Sequence, residues 1–125
     1  MYYFQYISDI HLEYYNISQV NSVIPKKVAP ILILAGDIGY PHKASYAQFL
    51  KQVNDQYKKV FLITGNHEYY NNYGIERTNR QIKEIMCELP NITFLNNSSC
   101  KFEEYLFVGS TLWTHIYSDT VRDKY

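Results

Sequence analysis

Three apolar runs in this chain each stop at a cluster of metal-ligand side chains, and that pairing narrows the folds open to it. Residues 3–7 run into Ser8-Asp9-Ile10-His11, residues 31–35 into Gly36-Asp37, and residues 60–63 into Gly65-Asn66-His67-Glu68. Parallel strands of one sheet carry their ligand-binding loops at their carboxyl ends. Three such ends lying side by side would bring Asp9, His11, Asp37, Asn66 and His67 together. Mixed carboxylate, imidazole and amide ligands suit hard or borderline divalent metals such as Mn, Fe or Zn.

The rest of the chain supplies the connections such a sheet needs. The pattern predicts a first strand over 3–8, then a long connection to Pro30 with little clear period. The second run, Ile-Leu-Ile-Leu-Ala, is uniformly apolar, as expected for a strand covered on both faces. A helix is predicted from about Ser45, with Ser45 and Gln48 fitting a capping box. Phe49, Val53 and Tyr57 recur four apart, with Tyr46 and Leu50 on the adjacent edge, so that helix buries one face. A third strand is predicted over 60–64, and a second helix between Gly74 and Leu89. Its inward stripe reads Ile75, Thr78, Ile82, Ile85, Met86 and Leu89, with Pro90 just past its end. Short strands are then predicted over 92–95, 100–103 and 105–108, with 109–113 extending the last. The alternation of strand and helix places the chain in the α/β class.

At 125 residues the chain is expected to form one domain, spanning residues 1–125. Lys plus Arg equals Asp plus Glu at 12 each, so nucleic acid is not indicated as a partner by charge. A phosphate ester remains compatible, because bound metals can supply the positive charge. Cys87 and Cys100 are expected to be reduced, mostly buried thiols, and no cysteine or histidine pair at zinc-finger spacing occurs. The amino terminus lacks a signal-peptide pattern, and no apolar run approaches a membrane span. A cytoplasmic location without membrane association is the expectation, and the sequons at Asn16, Asn91 and Asn97 are then without consequence.

The clustered residues point to one kind of chemistry. A carboxylate can bridge two divalent ions, while an Asp-x-His pair at a strand end can chelate one of them. Two ions about 3.5–4 Å apart hold both the attacking and leaving oxygens of an in-line displacement, and they make hydroxide available near neutral pH. His67 beside them could protonate the departing alkoxide. Gly36 and Gly65 would let the backbone turn sharply and come close.

The order D-x-H, G-D, G-N-H-E resembles the first three motifs of the calcineurin-like metallophosphoesterases. The phrases Ile-Ser-Asp-Ile-His-Leu-Glu, Leu-Ala-Gly-Asp-Ile-Gly and Thr-Gly-Asn-His-Glu-Tyr-Tyr carry the likeness, as does the later Val-Gly-Ser-Thr-Leu-Trp-Thr. The resemblance covers nearly the whole chain. It implies a four-layer α-β-β-α sandwich, present here as roughly its N-terminal half. It implies that Asp9 and His11 bind a first metal, that Asp37 bridges, and that Asn66 binds a second. His67 would contact the substrate phosphate or leaving group as the catalytic residue. Two divalent ions (Mn, Fe or Zn) are expected in a complete site, with one ion or weak binding here.

Two departures accompany the likeness. A further histidine ligand and a G-H-x-H motif are missing, and His115 stands at the wrong place to replace them. Many relatives also carry an acidic residue three places after the bridging Asp, often orienting the catalytic His; here that place is Tyr40. The expected function is a metallophosphoesterase, a hydrolase of phosphate mono- or diesters acting through metal-activated hydroxide. The alternatives are a metal- or phosphate-binding module without turnover, a half-domain that needs a second chain, and a nonfunctional remnant.

Other residues carry plainer expectations. Asp9 and Asp37 taken singly read as helix caps or Asx turns. His42 reads as a solvated turn residue, and Glu13 and Glu68 as exposed or standing behind the ligands. Tyr69, Tyr70 and Tyr73 read as packing residues before substrate-stacking ones, and Trp113 as core.

Overall fold

A computed structural model describes residues 2–114. The three apolar runs are strands: β1 (Phe4–Ile7), β2 (Ile31–Ala35) and β3 (Lys59–Ile63). With β4 (Ile92–Phe94) they form a sheet of order β1-β2-β3-β4 in which every neighbouring pair is parallel. Helix α1 (Ala44–Gln56) links β2 to β3, and α2 (Ile75–Met86) links β3 to β4. Each connection therefore advances one place in the same direction. Crossovers between parallel strands share one hand, so this order lays every connection on one face and leaves the other bare.

Packing follows that rule. On the helical face Leu32, Leu34, Val60, Leu62 and Ile92 meet Tyr46, Phe49, Leu50 and Val53 of α1 and Ile82 of α2. Burying side chains of this size stabilises the fold by roughly 1.5–3 kcal/mol each. On the opposite face Ile31, Phe61 and Leu95 pack against Phe102 and Phe107. Those two belong to an antiparallel hairpin, β5 (Ser98–Phe102) and β6 (Tyr105–Gly109). Phe61 stacks on Phe107 with ring centroids 3.9 Å apart, and Phe4 meets Phe107 edge-on at 5.6 Å. A helix layer, a parallel sheet and a piece of a second sheet result, so the chain is α/β, with the architecture of a partial sandwich. No helix among the described residues is long and apolar enough to cross a membrane.

Several local expectations are corrected. Ser45 does not cap α1: Lys43 occupies the N-cap without a side-chain bond, and the Ser45 hydroxyl turns to the Leu12 carbonyl at 3.4 Å. The long first connection, read as having little clear period, contains 3-10 turns at Leu12–Tyr14 and Ile17–Val23, anchored by buried Leu12 and Val20. Turns of this kind repeat every three residues, too briefly to print a helical stripe. Ile75 opens α2 but is 44% exposed, and Trp113 is half exposed rather than core. Residues 110–114 do not prolong β6. Cys87 is exposed and Cys100 half-buried, both as free thiols. His115 lies outside the described residues.

Candidate metal centre

The register of the sheet brings three strand ends level. Ile7 pairs with Leu34, and Leu34 with Leu62. Beyond the strands the chain keeps pairing: the amides of Asp9, His11 and Leu12 donate to the carbonyls of Gly36, Asp37 and Ile38 at 3.0, 3.1 and 2.8 Å. The first two loops thus run side by side and cannot drift apart independently.

The third loop is tied in by two side chains. Glu68 Oε2 accepts from the amides of Asp37 and Gly65 at 3.1 and 2.9 Å, and Oε1 from the Ile38 amide at 2.9 Å. In return Asp37 Oδ1 accepts from the His67 amide at 3.0 Å. Asp37 is therefore no local turn-former, since its donor lies thirty residues away. The glycines make room for this contact. A Cβ on Gly36 would come within 2.7 Å of the Gly65 nitrogen, and one on Gly65 would overlap the Asp37 carboxylate.

Asp9, His11 and Asp37 all hold left-handed backbones, with φ of 57°, 55° and 53°. Such conformations cost L-residues on the order of 1–3 kcal/mol each and persist only where surroundings impose them. Here the paired loops impose them, and the effect is to gather the three side chains. Their ligand atoms lie within 4.8 Å of one another, and Asp9 Oδ1 stands 3.8 Å from His11 Nε2. Two ligand atoms bound about 2.1 Å from one cation are at most about 4.2 Å apart, so this donor set fits one divalent ion with slight closure. Asp9 is the open side of the group, with 65% of its side chain exposed.

His11 is prepared for that role. Its Nδ1 lies 2.9 Å from Glu13 Oε1, and an ionised carboxylate only accepts, so Nδ1 carries the proton. With Nδ1 turned to Glu13, Nε2 is the ring atom that faces Asp9, 3.8 Å away. Metal-bound histidines characteristically donate their other ring N–H to a carboxylate in this way. The same Glu13 hydrogen bond, aided by the charges of Glu13, Asp37 and Asp9, raises the His11 pKa against the lowering effect of burial.

The other expected residues are placed as follows. His67 meets His11 edge-on with ring centroids 4.6 Å apart, and its Nδ1 lies 3.6 Å from Glu13 Oε1. Asn66 precedes it in the loop clasped to Asp37, and its Nδ2 donates to the Tyr70 hydroxyl at 2.6 Å. Asp37 and Asn66 are the expected side chains left for a second ion. Tyr69 is engaged internally, with its hydroxyl 2.6 Å from Asn79 Oδ1 and 2.9 Å from Thr64 Oγ1. Tyr70 and Tyr73 are exposed at the rim. His42 is exposed, stacked on Tyr40 and edge-on to Tyr73.

Glu13 and Glu68 are the residues whose importance sequence reading undervalued. Neither is exposed: Glu68 is wholly buried, and the Glu13 side chain is 4% exposed. Burial pushes the Glu68 carboxyl up to about 7, against the pull of the three amides it accepts from. The available signal was position alone, since each glutamate sits one or two places after a site histidine.

Comparison with known proteins identifies the family. A family model described as calcineurin-like phosphoesterase matches residues 4–119. An uncharacterized protein of Acanthamoeba polyphaga mimivirus is 39% identical over 124 residues, covering 90% of this chain and 44% of that protein. The chain thus spans less than half the length of that curated relative.

Proposed function

This chain belongs to the calcineurin-like phosphoesterase family, and from that premise we propose that it hydrolyses phosphate mono- or diesters with the aid of divalent metal. The observation that carries the reading is the convergence of Asp9, His11 and Asp37 within 4.8 Å at the ends of adjacent parallel strands. In the proposed site Asp9 and His11 would hold a first ion, Asn66 would serve a second, and Asp37 would be shared between them. Divalent ions bound there supply Lewis-acid charge to the phosphoryl oxygens and lower the pKa of water; Mn, Fe and Zn all suit the donors. Asp37 keeps its carboxylate aimed by the His67 amide, so the same contact fixes the ligand and the loop bearing the acid. His67 would then stand beside the leaving group with Nδ1 held toward Glu13, and a ring that also carries a proton on Nε2 would pass that proton to the departing oxygen.

A second reading has its own support. Among the described residues only Asp37 and Asn66 are offered to a second ion. A second chain that completes the centre, or a module that binds metal or phosphate without turnover, accounts for so spare a ligand set. The free thiols of Cys87 and Cys100 favour a cytoplasmic setting.

Manganese titration followed by melting temperature, alongside hydrolysis of an aryl phosphate, tests the reading. The hydrolase predicts both stabilisation and turnover; stabilisation alone selects the binding module or the half-domain. No response of the melt to Mn, Fe or Zn at millimolar level overturns the metal centre altogether, because a ligand of the native state must raise its stability.

A further inference from the structure

We propose that Glu13 is a positioning residue shared by both imidazoles of the centre, fixing His11 and His67 so that each presents Nε2 outward. The proposal rests on the metal-centre reading and adds what holds its two histidines in register. Oε1 of Glu13 accepts from His11 Nδ1 at 2.9 Å and lies 3.6 Å from His67 Nδ1. Its other oxygen, Oε2, is buried and accepts no hydrogen bond among the described residues. A buried acceptor without a donor is unusual and costly. The carboxylate has two oxygens and two imidazole nitrogens beside it, and in the proposed arrangement a small turn about its last torsion gives one oxygen to each ring.

No other cation among the described residues competes for this carboxylate. Its ion partners are the two imidazoles, while Lys43 reaches the Glu13 main-chain oxygen instead, at 3.2 Å. Burying an ionised carboxyl without partners is strongly unfavourable, so the histidines stabilise Glu13 as much as it orients them. The backbone holds the group in place: Glu13 sits in the 3-10 turn Leu12–Tyr14, directly after the left-handed His11. Its neighbour Leu12 is fully buried. Tyr40, three places after Asp37, offers only a hydroxyl there, so the orienting carboxylate comes from the first loop rather than the second. One group then couples the ligand His11 to the acid His67, whose rings already touch edge-on.

The test reads tautomers directly. Long-range proton–nitrogen spectra of 15N-labelled chain are recorded over a pH series carried up until the spectra of both rings stop changing, without and with zinc. The expected result is an Nδ1–H tautomer at both His11 and His67 in the metal-free protein, with the His11 Nε2 resonance shifting when zinc is added. Glu13→Gln offers one acceptor oxygen for two rings, so one ring should move toward its Nε2–H form. Zinc affinity should fall about tenfold to a hundredfold, the usual effect of losing a ligand's outer partner. An Nε2–H tautomer at either ring of the unsubstituted protein overturns the proposal, and so does a Glu13→Gln protein with both tautomers and zinc affinity unchanged. Both rings in the Nδ1–H form with no uptake of zinc would sink the metal reading and leave the orienting role intact. If Glu13→Gln does not fold, the unsubstituted spectrum alone still decides.

Discussion

Asp37 and Glu68 each hold the other's loop. The Asp37 carboxylate accepts the amide of His67, and the Glu68 carboxylate accepts the amides of Asp37 and Ile38. One residue of the pair faces the centre and the other is wholly buried behind it. The position of the half-buried Asp37 carboxylate is therefore set from within the core.

Glu68→Gln should uncouple the second and third loops. The amide replaces an acceptor oxygen with an N–H₂ aimed at backbone donors. Leaving a buried donor unpaired costs about 1–3 kcal/mol. Urea unfolding should show that loss with an unchanged slope, and metal affinity should fall with it; full affinity in Glu68→Gln would mean the clasp does not position Asp37.

The metal-free protein should be most stable on the acid side of neutrality. Glu68 is raised from 4.5 to about 7 in the folded state, so the native form binds a proton that the unfolded chain has already released. Stability must then fall as pH rises between those values, by about 3 kcal/mol. His11 acts in the same direction: its raised pKa gives stability below its unfolded value, lost as pH climbs through the folded one. Melts of metal-stripped protein across this range check the sign, and Glu68→Gln should flatten most of the slope. Stability that increases over the same interval would contradict the environment described for Glu68.

Asp37→Asn should weaken metal binding more than any other single change. It removes the bridging charge, so the loss should exceed the tenfold to hundredfold, roughly, seen when only an outer partner is removed. His67→Gln should lower turnover and leave metal content near normal. Titration calorimetry with manganese and metal analysis of the purified variants distinguish the two; equal metal loss in both would contradict the division of roles.

Two glycines allow a paired comparison. Gly36 has φ of 92° and a Cβ there would lie 2.7 Å from the Gly65 nitrogen, whereas Gly74 has φ of 82° but open space around it. Gly74→Ala should cost about 1 kcal/mol from backbone strain alone. Gly36→Ala adds a clash between two backbones and should cost several times more, with loss of metal binding. Comparable unfolding midpoints for the two variants would show that the loops are not in the contact described.

The sheet was legible because its signal is simple. Val60, Phe61 and Leu62 can be consecutive and all apolar only where both faces are covered, and the structure buries all three. The gathering of Asp9, His11 and Asp37 followed from the same fact, since adjacent parallel strands end level. Less was readable where a side chain answers to a distant partner. Ser45 fits a cap by spacing, yet the Leu12 carbonyl draws its hydroxyl away. Glu13 and Glu68 carry the composition of surface residues, and only the folded loops supply the imidazoles and amides that justify burying them. Trp113 reads as core by size, but among the described residues no strand pairs beyond β6 to cover it, and it leans on Tyr69 at 5.8 Å.

The left-handed backbones at Asp9, His11 and Asp37 set chemistry against endurance. Glycine adopts these angles without steric strain, so a population screened only for heat resistance should accumulate it first at exposed Asp9, while the contacts of His11 with Glu13 and of Asp37 with the His67 amide oppose it at the other two. Thermotolerant survivors would then be the ones that no longer capture manganese.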